Sequence, residues 1–116
     1  MILTLLKSKL HRATVTDANL EYEGSISIDP TLIAAAELLP FERVEVYNCN
    51  NGARFATYVI EGQAGEVCLN GAAARCALPG DRVIIASYCQ LESEQATRHQ
   101  PRLVLLGPDN AITDPG

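Results

Sequence analysis

Leu39-Pro40-Phe41-Glu42-Arg43-Val44 returns thirty-nine residues later as Leu78-Pro79-Gly80-Asp81-Arg82-Val83. Leucine, proline, arginine and valine recur, with an acid before the arginine each time. An alanine-rich stretch that reads as helical precedes each copy, and a strand pattern follows each. A true repeat makes this a duplicated helix–turn–strand unit; a six-position match also arises by chance. Outward from the first copy, Asp29-Pro30 supplies an N-cap acceptor and a proline at the first helical position. Leu32, Ile33, Ala36 and Leu39 recur at helical spacing, and Pro40 is the expected stop.

The rest of the chain reads mainly as strands. Residues 2–15 form one long or broken strand, Thr16–Asn19 a turn, and Tyr22–Ile28 an extended run. Arg43–Cys49 and Ala53–Ile60 flank Asn50-Asn51-Gly52, where Asn-Gly favours a two-residue type I′ hairpin turn. Val67–Leu69 is a short strand and Gly71–Cys76 a helical turn or two. Arg82–Cys89 is a central strand, Leu91–His99 a short polar helix, and Pro101–Leu106 a last strand. Residues 107–116 read as a loose tail. The expectation is a single, mainly β domain over residues 1–106.

The chain has 116 residues and a net charge of −5, enough for one small domain. The runs Ile2–Leu6, Val83–Ala86 and Leu103–Leu106 are continuous rather than alternating, which suggests strands covered on both faces. Neighbouring subunits or a closed barrel both supply such cover. There is no basic tract, no Trp and only five per cent aromatics, which argues against nucleic acid. Lys7, Lys9, His11 and Arg12 nevertheless gather before the first acid, Asp17. Such a cluster reads as an edge strand guarded by lysines, or as a local field for a small dicarboxylate. Cys49, Cys68, Cys76 and Cys89 lack a C-x-x-C or metal-like spacing. The first apolar stretch is short and precedes the basic residues, the reverse of a secretory signal. No run approaches the length needed to cross a bilayer. The expectation is a cytoplasmic protein with reduced thiols.

Tyr22-Glu23-Gly24-Ser25 carries the chemistry. A Gly-Ser pair alone is most often a turn. It is also a bond at which a serine hydroxyl can attack the preceding carbonyl and convert the amide to an ester. β-Elimination then gives dehydroalanine, and hydrolysis leaves a pyruvoyl group at a new N-terminus. Gly24 lacks a Cβ that would hinder the bend. Further motifs surround it: Lys9-Leu10-His11-Arg12, Asn51-Gly52-Ala53-Arg54, Thr57-Tyr58 and Asn70-Gly71-Ala72-Ala73. Together, and in this order, they resemble the aspartate 1-decarboxylase family over residues 1–101.

That resemblance implies a double-psi β-barrel with short helices, whose internal pseudo-twofold symmetry the repeat fits. It implies a zymogen that cuts itself between residues 24 and 25. The ketone formed from Ser25 is then the cofactor, with no metal and no pyridoxal phosphate. A Schiff base with L-aspartate leads to CO₂ and β-alanine, a precursor of pantothenate. By resemblance, Thr57 donates to the Gly24 oxyanion and Tyr58 returns the proton. Arg54 and Lys9 hold carboxylate, and His11 adds a hydrogen bond. Asn70 orients the ketone, the amides of Gly71, Ala72 and Ala73 form pocket wall, and Tyr22 lines the site. The family's sites lie between subunits of a homotetramer, and some members need a helper protein to mature.

Strand parity constrains this picture. In a regular strand Arg54 and Tyr58 share a face and Thr57 points away. Either a bulge near Ala56–Thr57 or a site shared between subunits is expected. Two other readings are a barrel that stays uncleaved and acts as a binding module, and a Cys/His metal protein with poor spacing.

Overall fold

A computed structural model describes residues 1–113. It contains strands β1 (Ile2–Thr14), β2 (Asp17–Asn19), β3 (Ser25–Ile28), β4 (Arg43–Asn48), β5 (Arg54–Glu61), β6 (Val67–Asn70), β7 (Arg82–Glu92), β8 (Arg102–Leu106) and β9 (Ile112–Thr113). Short helices α1 (Pro30–Ala35) and α2 (Ser93–Ala96) and two 3-10 turns complete it. The strands order as β2-β6-β3-β5-β4-β7-β1-β8-β9. Because β2 continues β1 through Val15 and Thr16, the pairing of β2 with β6 closes the sheet on itself. Closure removes most free edges. The interior is filled by Leu10, Ile26, Ile28, Leu32, Val44, Val46, Val59, Leu69, Val83 and Ile85, none more than 1% exposed. The result is a mainly β, single-domain architecture of the double-psi barrel kind.

The repeated hexapeptide builds two matching turns. Leu39 N–H donates to the Glu42 carboxylate at 2.9 Å, and Leu78 N–H donates to the Asp81 carboxylate at 2.9 Å. Phe41 N–H meets Val59 O as Gly80 N–H meets Val15 O, both at 2.7 Å. Val59 N–H returns to Glu42 O, and Val15 N–H to Asp81 O. Each acid then reaches across to the other half. Asn48 Nδ2 donates to Asp81 at 2.9 Å, while Ser87, the residue matching Asn48, donates to Glu42. Antiparallel pairing of β4 with β7 sets Val46 opposite Ile85, the matching residues. The duplication is therefore structural.

The two acids differ in environment. Burial pushes the Glu42 carboxyl up, but donors from Ser87, Lys7 and Leu39, with the Lys7 charge, outweigh that and hold it below the usual range. Asp81 is held low chiefly by Leu78 N–H and then by Asn48. Lys7 Nζ bonds both Glu42 oxygens at 2.9 and 3.1 Å.

Several local expectations are corrected. Thr16–Asn19 is not a free turn, since Asp17–Asn19 pairs with β6. The strand at the Gly-Ser site starts at Ser25 rather than Tyr22. Helix α1 ends at Ala35, and Glu37 adopts φ 56° before Pro40 is reached. The hairpin loop is longer than two residues: Gly52 N–H bonds Asn48 O and Asn48 N–H bonds Ala53 O. Asn48 and Asn51 side chains accept from Asn50 and Ala53 N–H, so Asx chemistry replaces the type I′ turn. The polar helix is confined to Ser93–Ala96. Past Leu106 the chain is tied down as far as Thr113. Ile112 and Thr113 pair with β8, and Asn110, 3% exposed, bonds Thr14 and Gly65. The end of the expected tail, residues 114–116, lies outside the described residues. Of the apolar runs, Val83, Ile85 and Ala86 are covered within the chain, whereas Ile2, Leu3 and Leu103 are exposed.

Candidate active site

Ser25 opens β3 directly opposite Asn70, the last residue of β6. The Asn70 amide donates to Ser25 Oγ and to Ser27 Oγ, each at 2.9 Å. Its own oxygen accepts from the Cys68 thiol at 3.4 Å. Ser25, Ser27, Asn70 and Cys68 are all buried. Burial also pushes the Cys68 thiol up, with help from Asp17 and Glu66, so it stays protonated and can donate. A donor on Ser25 Oγ leaves the hydroxyl hydrogen free to turn elsewhere, and the nearest acceptor is Glu23 O at 3.5 Å. The hydroxyl of the residue that follows Gly24 is thus held by a buried amide.

A cavity of about 350 Å³ opens beside this bond, lined by Gly24, Phe55, Ala56, Thr57, Tyr58, Asn70, Ala72, Ala73 and Cys76. Its floor comes from β5 and its wall from the 3-10 turn Gly71–Arg75. The sequence reading gave the conformational licence to Gly24, yet a Cβ there meets open space. The strict requirement falls on Gly71. It has φ 66°, and a Cβ would lie 2.8 Å from the Gly24 backbone and 3.0 Å from Tyr22 O. That close approach brings Gly71, at the start of the 3-10 turn, against the backbone of Tyr22 and Gly24.

The remaining candidates lie apart. Strands β4 and β5 pair without interruption from Arg43–Tyr58 to Tyr47–Arg54, so there is no bulge at Ala56–Thr57. Arg54 stacks over the Tyr47 ring, 4.1 Å from its centroid. The Tyr47 hydroxyl shares a 2.7 Å hydrogen bond with Tyr88. Burial, with that bond next, raises the Tyr47 phenol to about 12. Lys9 pairs with Ala86 and Leu103 on β7 and β8. His11 keeps a buried Nδ1 without a hydrogen-bond partner, and burial, with Lys9 and Arg12 beside it, holds its pKa down. Tyr22, 56% exposed, lines a neighbouring groove that reaches Asn70 from the other side. One chain thus gathers Gly24, Ser25, Thr57, Tyr58, Asn70 and Gly71–Ala73. It leaves Lys9, His11 and Arg54 outside their cavity.

Ser27 and Cys68 were missed in the sequence. The alternation Ser25-Ile26-Ser27-Ile28 sets two hydroxyls on one face and was the available signal. Tyr47 was also missed, although it stands opposite Arg54 in the hairpin.

A serine oriented by a buried amide, at a cavity that also presents a tyrosine and a threonine, is the layout of an enzyme site carried on a closed barrel. The chain belongs to the aspartate decarboxylase family, whose model matches residues 1–113. It is similar to the aspartate 1-decarboxylase of Bdellovibrio bacteriovorus, at 58% identity over 98% of this chain and 92% of that one. The aspartate 1-decarboxylase of Clostridium acetobutylicum is 56% identical over 98% and 91% of the two chains. That of Dehalococcoides mccartyi is 57% identical over 94% and 90%.

Proposed function

We propose that the protein cuts itself between Gly24 and Ser25 and then converts L-aspartate to β-alanine and CO₂, supplying a pantothenate precursor. The observation that carries this reading is the Asn70 amide 2.9 Å from Ser25 Oγ at the mouth of the 350 Å³ cavity. Asn70 fixes the hydroxyl oxygen, whose attack on the Gly24 carbonyl exchanges the amide for an ester. Thr57, on the cavity floor, is suited to donate to the oxyanion that forms. The site suits a ketone at position 25. Ser25 Oγ leaves with the Gly24 carboxylate on elimination, and water supplies the ketone oxygen at Cα as ammonia departs. Asn70, already bonded to the side chain of residue 25, is placed to bond that oxygen, with Ala72 and Ala73 lining the same cavity. Such a ketone, once formed, supplies an electron sink for decarboxylation.

The chain's own groups do the rest. Tyr58 lines the cavity and returns a proton to the carbon that loses CO₂. Arg54 and Lys9 hold the carboxylates, Arg54 by a two-pronged bond, His11 adds a hydrogen bond, and Tyr22 stands in the neighbouring groove that also reaches Asn70. Since Arg54, Lys9 and His11 do not open onto the cavity of their own chain, a second copy completes the site. Exposed Ile2, Leu3 and Leu103 support an assembly of copies, read here as a homotetramer. No helix among the described residues is long and apolar enough to cross a membrane. We place the enzyme in the cytoplasm, with maturation either spontaneous or aided by a helper protein.

Intact mass measurement tests the reading. The purified protein is expected as residues 1–24 plus a longer fragment lacking a free amino terminus. Borohydride with L-aspartate should add the amino acid's mass to the long fragment. Active material with an unbroken chain and an ordinary serine at position 25 would overturn it.

A further inference from the structure

The two matching turns differ at one position where the backbone matters. Gly80 has φ 94°, in the left-handed region that glycine enters without steric penalty. Phe41, its counterpart, has φ 69°. A residue with a bulky side chain is an outlier there and strains the backbone. The turn does not demand it, because the same main-chain bonds form around Gly80 and Val15 as around Phe41 and Val59. Burial does not explain it either, since Phe41 is 76% exposed.

What the ring meets is Tyr58. The two centroids are 6.4 Å apart with the planes tilted by 37°, within the range of an aromatic pair. The backbone of Phe41 is tied to Val59 O, one residue beyond Tyr58. The strained main chain and the ring therefore hold the same short piece of β5. Tyr58, on that piece, also lines the cavity beside Gly24.

We propose that Phe41 is a positioning residue for Tyr58: its ring, aimed by a left-handed backbone, fixes the approach of the phenol to the cavity at Gly24 and Ser25. Phe41 acts through Tyr58 and touches no reacting atom. The proposal rests on the reading of Tyr58 as proton donor.

The test compares Phe41→Gly, Phe41→Tyr, Tyr58→Phe and the double variant Phe41→Gly/Tyr58→Phe in the full-length protein. Self-cleavage is followed by mass, assembly by sedimentation, stability by melting, and kcat and KM with L-aspartate. Phe41→Gly should cut itself fully, assemble normally and melt no lower than the parent, because it relieves strain. Its KM should stay within about twofold while kcat falls about tenfold, the signature of a misplaced group rather than lost binding. Phe41→Tyr should restore kcat. In the Tyr58→Phe background, Phe41→Gly should cause no further loss. A parental kcat in Phe41→Gly, an equal loss in both backgrounds, or a loss that tracks dissociation of the assembly would each overturn the proposal while leaving the role of Tyr58 intact. Tyr58→Phe with unchanged kcat would instead remove the reading of Tyr58, and this proposal with it.

Discussion

Asp29 and Asn70 occupy matching places in the two halves of the barrel. Asp29 directly follows the short strand β3 and Asn70 ends the short strand β6, each stands at the N-cap of a helical segment, and each segment leads into a Leu-Pro turn. Asp29 does what such a residue ordinarily does. One oxygen accepts from Thr31 N–H at 2.7 Å, and the other from Gly65 N–H at 2.7 Å. Asn70 makes no cap bond at all. Its amide turns back onto the strand opposite and holds Ser25 and Ser27. The first half uses its cap residue to stabilise the fold, and the second withholds the cap and uses the same position to hold the Ser25 hydroxyl, the nucleophile of the proposed function. A site arises in a symmetric scaffold by redirecting one side chain, not by adding an element.

The sharpest way to break the contrast is Asn70→Asp, which gives the second half the side chain of the first. A carboxylate can only accept, so the donor to Ser25 Oγ is lost while a cap to the 3-10 turn becomes available. We expect self-cleavage and β-alanine formation to fall by about a hundredfold or more, the scale seen when one preorganised donor is removed. Asn70→Ala, which offers neither donor nor acceptor, should fall at least as far and also lose stability by about 1–3 kcal/mol, since two buried hydroxyls lose their donor. Parental rates of cleavage in Asn70→Asp would show that Ser25 needs no orienting amide.

The sequence carries one side of this contrast far better than the other. Asp29-Pro30 announces a cap because capping is local: acceptor and donor lie two residues apart. The repeated Leu-Pro turn is legible for the same reason, since its acid bonds an N–H three residues earlier. Asn70, Gly71, Thr57 and Tyr58 entered the reading through family likeness alone. Their roles depend on β3 lying between β5 and β6, pairings that span more than thirty residues. Cys68 was invisible for that reason, and Ser27 showed only through the alternation that sets it on the face of Ser25. The hairpin loop failed differently: Asn48 reaches Asp81 and the Cys76 carbonyl across the barrel. That long-range demand overrides the local preference of Asn51-Gly52 for a two-residue turn. Likewise Asn110 in the supposed tail is claimed by Thr14 and Gly65.

Asp29→Ala probes the first half and should have a milder, purely structural effect. Loss of an N-cap costs about 1 kcal/mol, so the melting temperature should fall by several degrees. Self-cleavage and the rate with L-aspartate at moderate temperature should stay near parental values. A large loss of activity without a change in melting would mean that Asp29 also serves the site and that the halves are not specialised.

The smallest effect is one of pH, and it separates the halves by charge, because Asp29 titrates and Asn70 does not. Gly65 N–H, and then Thr31, hold the Asp29 carboxyl below its usual range against a smaller upward push from burial. A carboxyl whose pKa is depressed by folding stabilises the fold fully above its unfolded value, near 3.9. That contribution is lost as pH falls through the folded value, since the unfolded chain takes up the proton first. Asp29→Asn keeps an acceptor for Thr31 but removes the titration. Melting temperature plotted against pH should therefore show a shallower acid slope for Asp29→Asn than for the parent, with the two curves running parallel above about pH 5. Asp81 and Glu42, also held low, keep the variant acid-sensitive overall. Superimposable acid limbs for parent and variant would mean that the cap at Asp29 carries no charge-dependent stabilisation. The comparison with Asn70 would then rest on hydrogen-bond direction alone.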